Sequence, residues 1–152
     1  GNGPCAVLHD AERRLREVTS LCVLRPCMFQ ESVRNHGGKY FHFFGAHRLP
    51  MIATRDVAAH AVRCLLSPRV EVVDLVGPAY GGAEIATALN ARLIEVPLEQ
   101  HTQTLIECGL PAPLASSIAE LYACLPHVAP RGDRLVAGAT TLPQTVHDAR
   151  RT

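Results

Sequence analysis

A chain of 152 residues, 47% hydrophobic and 19% charged, is long enough to bury a core and is expected to fold as one soluble globular domain over residues 1–152. A formal charge of +1 with no long basic run excludes nucleic acid as the main partner. No apolar run reaches the roughly 18 to 20 residues of a membrane span, so no membrane partner is expected either.

In chain order, residues 6–17 read as a helix, with Leu8, Ala11, Leu15 and Val18 at helical spacing and Pro4 near its start. Residues 19–25 read as a buried strand ended by Pro26. Residues 28–38 read as a loop or short helix closed by Gly37 and Gly38, and residues 40–44 (YFHFF) as a strand or hydrophobic flap. Thr54 is placed to cap a helix, Asp56 suits the positive end of its dipole, and Pro68 stops it after Leu66. Its apolar face is expected at Val57, Ala58, Ala61, Val62 and Leu65. Residues 70–76 (VEVVDLV) form the next strand, turned by Gly77 and Pro78. A short helix follows at 82–90, with Ile85, Ala86 and Leu89 inward, then a strand at 93–96. Beyond Pro97 the pattern is helical at 100–108 and 114–124. Residues 126–134 read as a loop, and 143–151 as a final helix. The alternation predicts the later part of an α/β fold, and no internal repeat is present.

Several ordered segments resemble one family. Gly1 to Pro4 followed by Leu8, His9, Asp10 and Glu12 is similar to the helix before a late strand of NmrA-like proteins, the atypical branch of the short-chain dehydrogenase/reductases. Val23-Leu-Arg-Pro26 with Phe29 and Glu31 resembles that strand and its substrate loop. Pro50-Met-Ile-Ala-Thr-Arg-Asp56 is the most specific match. Val73-Asp-Leu-Val-Gly-Pro78 with Ala83-Glu-Ile-Ala86, then Gly109-Leu-Pro111 and Ala119-Glu-Leu-Tyr122, resemble the following strand, turn, helix and helical cap. The likeness covers roughly residues 1–125. It implies the C-terminal part of a Rossmann-like doubly wound fold, with a short parallel sheet and a helical cap.

The family binds NAD(P) through a glycine-rich β-α-β unit that these residues do not contain; the spacing Gly77, Gly81, Gly82 does not supply its phosphate cradle. NAD(P) is therefore the family's cofactor and is not expected to bind tightly to this chain alone. The Tyr-x-x-x-Lys pair used by many relatives falls at Cys5 and His9, which makes His9 the candidate catalytic residue. Arg25 ends a strand and either reaches a cofactor phosphate or ribose, or pairs with Asp56 or Glu31. Phe29, Tyr40, Phe41 and Phe43 are the candidate lining of an apolar substrate pocket, or else core. His36, His42 and His47 lack a metal-ligand spacing, so no metal is expected. No serine sits in a hydrolase nucleophile motif.

Six cysteines stand at 5, 22, 27, 64, 108 and 124, none as C-x-x-C. They read as reduced, mostly buried thiols of a cytoplasmic protein, and no signal peptide is recognisable. A parallel sheet remnant built from the strands near 21–25, 70–76 and 93–97 would leave an apolar edge open. The expected partners are therefore a second copy of the chain or a missing N-terminal partner, with a small apolar ligand. Two functions compete: a fragment or truncated homologue of an NAD(P)-binding protein that contributes a substrate cleft without independent oxidoreductase activity, and a non-catalytic regulatory or small-molecule-binding module.

Overall fold

The structure, a computed structural model, describes residues 4–127 and 129–149. Its elements run α1 (Pro4–Val18), β1 (Cys22–Pro26), β2 (Met28–Phe29), β3 (Lys39–His42), β4 (Leu49–Ile52), α2 (Thr54–Leu66), β5 (Glu71–Val76), β6 (Ala79–Tyr80), α3 (Gly82–Leu89), β7 (Arg92–Glu95), α4 (His101–Glu107), α5 (Ala112–Cys124), β8 (Arg134–Ala137) and α6 (Leu142–Ala149). Short 3-10 turns lie at Gln30–Ser32, Leu98–Gln100 and Leu125–His127. The result is an α/β fold of Rossmann-like character. No helix among the described residues is long and apolar enough to cross a membrane.

The organising layer is a three-stranded parallel sheet in the order β1-β5-β8. Cys22 stands opposite Glu71, Arg25 opposite Asp74, and Val73 opposite Arg134. Smaller sheets flank it: β2-β4-β6, with β2 and β4 parallel and β6 antiparallel to β4, and the parallel pair β3-β7. The strand at 92–95 therefore leaves the main sheet, contrary to the sequence expectation, and β8 takes the third place from within a stretch read as loop and its sequel. Periodicity could not reveal β8. Its four residues, Arg134-Leu-Val-Ala, show no polar–apolar alternation, and only pairing with β5 defines it.

The core has two buried groups. Val33, Tyr40, Met51, Ile85, Ala86, Leu89 and Leu142 join α3, α6 and the flanking strands, while Ile52 of β4 packs with Val73 and Leu75 of the main sheet. α3 behaves as its sequence predicts. Ile85, Ala86 and Leu89 are inward, the Gly81 N–H is held by Glu84 Oε2 at 2.9 Å, and Asn90 closes the helix in the left-handed conformation at φ 51°.

α2 differs in two ways. Thr54 is its first residue rather than its cap: the capping residue is Ala53, and Glu31 Oε1 accepts from Thr54 N (2.9 Å) and Thr54 Oγ1 (2.8 Å). The helix is also rotated from the expected face. Val57, His60, Ala61 and Cys64 turn toward the sheet, whereas Ala58, Val62, Leu65 and Leu66 are exposed, the last two at 79%. Hydrophobic count alone picked the wrong stripe, because tertiary packing placed a histidine and a thiol inside. α6 forms at Leu142–Ala149; the last two residues of its expected range, 150 and 151, lie outside the described residues.

Candidate functional site

Parallel strands deliver their loops to one end of the sheet, and in α/β folds ligands bind beyond the carboxyl ends of such strands. Here that end collects the turn after β1, the N-terminus of α2, and the loop after β8 that leads into α6. Buried Gln30 ties the three together. Its Nε2 donates to the carbonyls of Met51 (3.0 Å) and Thr140 (2.8 Å), and its Oε1 accepts from Thr145 Oγ1 (2.6 Å). Every polar atom of this amide is engaged, so the side chain fixes the loops rather than a ligand.

A second set of bonds runs through Thr140. Its N–H and Oγ1 both donate to Asp56, at 2.9 Å each, and Arg55 Nε donates to the same hydroxyl at 2.8 Å. Arg55 Nη1 reaches Asp148 at 2.8 Å. Close approach is structural here too: a Cβ on Gly138 would stand 2.7 Å from Asp56 Oδ2, and one on Gly77 only 1.9 Å from the Met51 carbonyl oxygen.

Between these loops lies a cleft of about 260 Å³ lined by Glu31, Arg55, Thr145, Asp148 and Ala149. Glu31 spends Oε1 on Thr54, while its buried Oε2 has no partner among the described residues. A buried carboxylate oxygen left without a donor is costly, and an N–H or O–H from a bound molecule would satisfy it. Arg55 brings a half-exposed guanidinium to the same cleft.

The residues singled out from sequence fall elsewhere in part. His9 is exposed on α1; the side chain of Cys5, its counterpart in the pair motif, lies outside the described residues. Arg25 pairs with neither Asp56 nor Glu31. Its Nε and Nη2 grip Glu12 at 3.0 and 2.6 Å, one helical turn beyond His9. That bond holds the Glu12 carboxyl below its usual range against the opposing effect of burial.

The four aromatics are dispersed. Tyr40 is buried in the core, its hydroxyl 3.4 Å from His42 Nδ1, and burial raises its phenol. Phe41 faces His36 at 6.0 Å between ring centroids, and Phe43 lies against His101 and Tyr122 at 5.1 and 5.3 Å. Phe29 is 38% exposed beside the Gln30 turn. The five described cysteines are free; four are half-buried and Cys124 is exposed, so burial is less complete than expected. Gln30, Thr140, Thr145 and Asp148 carried no signal in the sequence: the partners of Gln30 are up to 115 residues away, and their polarity has no period.

No protein-family model matches this sequence. The chain is similar to an NAD(P)H azoreductase of Xenophilus azovorans, at 35% identity over 108 residues. That match takes in 65% of this chain and 37% of the azoreductase, so the chain spans well under half the length of its relative.

Proposed function

We propose that this chain supplies the substrate-side wall of an NAD(P)H-dependent oxidoreductase site of the NmrA-like branch, with the glycine-rich dinucleotide-binding unit provided from outside these 152 residues. The observation that carries this reading is the 35% identity with the NAD(P)H azoreductase. It is supported by a parallel β1-β5-β8 sheet whose carboxyl end carries a cleft. The cofactor would supply the hydride. This chain's share is to bind and orient: Glu31 Oε2 accepts a hydrogen bond, Arg55 offers donors to an anionic or polar group, and exposed Phe29 meets an apolar ring. His9 on α1 and Arg25 beside it are the residues that a cofactor ribose or phosphate would meet from the other side. Arg25 would have to share its fork with Glu12.

An edge strand and exposed apolar side chains support a companion unit. β1 is an edge strand of the main sheet, and Val7, Leu8, Leu15 and Val18 of α1 and Val62, Leu65 and Leu66 of α2 are apolar and exposed. A second copy of this chain would compete for the same surface. Cytoplasmic placement belongs to this reading, because NAD(P)H and reduced thiols occur together there.

The test is titration of NADPH and NADH into the purified chain, by fluorescence and thermal shift, beside the same chain joined to a dinucleotide-binding unit of the azoreductase. The expected result is no binding tighter than millimolar for the chain alone. In the joined protein we expect dye reduction, with kcat/KM falling about tenfold or more in Glu31→Gln. Micromolar binding to the isolated chain, or a joined protein that binds NADPH yet ignores the Glu31 change, would overturn the assignment.

A further inference from the structure

α2 buries the wrong residues for a helix held only by the hydrophobic effect. His60 is 6% exposed and Cys64 is half-buried, while Leu65 and Leu66 face outward at 79%. His60 and Cys64 are four positions apart, so both side chains project from one face of the helix. Facing that side of the sheet are Cys22 on β1 and Glu71 on β5, which are register partners across the parallel ladder. The thiols of Cys22 and Cys64 and a carboxylate oxygen of Glu71 lie within 4.8 Å of one another. Both ring nitrogens of His60 are buried and have no hydrogen-bond partner among the described residues; Glu71, Arg63 and Arg134 are its charged neighbours. Three ligand-type side chains from three elements thus converge, beside a buried imidazole that has no hydrogen-bond partner among the described residues.

We propose that Cys22, Cys64, Glu71 and His60 form a zinc site that fastens α2 to the β1–β5 edge of the sheet. Two thiolates with one imidazole and one carboxylate suit a borderline-soft divalent ion and not magnesium or calcium. Ligands of a tetrahedral zinc with metal–sulfur bonds of about 2.3 Å stand roughly 3.8 Å apart, so the three grouped atoms need to close by about 1 Å at most. His60 lies outside that group, has Glu71 among its charged neighbours, and would have to turn its side chain toward the ion to be the fourth ligand. Arg134 donates to Glu71 Oε1 at 2.7 Å and to Oε2 at 3.2 Å. Giving up the longer bond frees one oxygen for the metal, while the shorter one keeps the carboxylate oriented. Two thiolates and a carboxylate carry three negative charges; zinc and Arg134 together balance them. On binding, each thiol releases a proton to solvent as its metal–sulfur bond forms, and no electrons are transferred. The ion has a way in, since Cys22 and Cys64 line a cleft of about 520 Å³ with Leu24, Ala61, Leu65 and Val70. This inference does not depend on the oxidoreductase reading.

The experiment is titration of cobalt(II), then zinc, into the reduced full chain, followed by absorption and by proton release. Expected are thiolate-to-cobalt charge-transfer and tetrahedral ligand-field bands that saturate at a single ion per chain, are bleached by zinc, and come with release of two protons. Cys22→Ser or Cys64→Ser should abolish the charge-transfer band. Glu71→Gln and His60→Gln should weaken binding by about 10- to 100-fold, with the folded state checked by circular dichroism. A Cys108→Ser, Cys124→Ser double variant should bind as before. Should the Cys22 or Cys64 variants fold poorly, zinc protection of those two thiols from alkylation in the unaltered chain, read peptide by peptide, gives the same answer. Absence of a charge-transfer band at excess cobalt, a band that survives loss of Cys22 and Cys64, or alkylation of both thiols at an undiminished rate in zinc would overturn the site.

Discussion

The carboxyl end and the β1 side of the β1-β5-β8 layer are finished differently. At the carboxyl end the chain satisfies itself: Gln30, Asp56 and Thr140 lock three loops together with bonds that cross 84 to 115 residues. Along the β1 edge and the outer faces of α1 and α2, large apolar side chains remain uncovered, and α2 turns a histidine and a thiol inward instead. Polar closure at the carboxyl end fixes the loops against one another, whereas the apolar exposure along the β1 side is what the proposed companion unit or second copy would cover.

Mutations should reveal that contrast as a gradient of effects. Gly77→Ala should be the most damaging, at about 3 kcal/mol in urea unfolding, because its Cβ would overlap the Met51 carbonyl, a backbone atom with no room to yield. Gln30→Ala should cost about 2 kcal/mol by the same measurement, since it removes the amide donor from the Met51 and Thr140 carbonyls and the acceptor of Thr145 Oγ1. An equal loss from an exposed residue of α2 would erase the distinction between the two regions.

Glu12→Gln should cost about 1 kcal/mol, reflecting a half-buried bidentate pair with Arg25. Its depressed carboxyl also sets a sign: the pair's contribution is present above the ordinary carboxylate range and is lost as pH falls through the folded value, so the variant should flatten the acid limb of stability against pH. His101 gives a second window in the helical cap. Burial lowers its folded pKa, so the neutral ring is favoured above about pH 6.5 and stability declines as pH falls below that. Melting temperatures of His101→Gln should show a shallower decline over that range. Smallest in stability is the double change Leu65→Gln, Leu66→Gln, expected within about 0.5 kcal/mol because both are exposed. Its effect should appear in sedimentation, as loss of self-association or of docking to a dinucleotide-binding unit.

Much of the fold was legible. α1, α3, α5 and the strand of residues 71–76 follow from apolar period and from Pro and Gly at their ends. β4 and β8 were not; pairing with β2 and β6 defines the first and pairing with β5 the second. Of the site, Glu31 and the Thr54–Asp56 segment stood out through the resemblance, but Thr54 was expected as the helix cap and Arg25, where it forms an ion pair, was expected to choose Asp56 or Glu31. An N-cap preference is local, whereas Glu31 reaches Thr54 from 23 residues away, and Arg25 found Glu12 because α1 packs back over β1.

The sequence by itself determined the α/β class, most of the helices, and the want of a glycine-rich phosphate cradle within these residues, because each rests on local period or spacing. Only the tertiary structure decided which strands share the main sheet, which face α2 buries, and which side chains meet in the cleft. Those depend on pairings between segments far apart in the chain, where no local pattern carries the information.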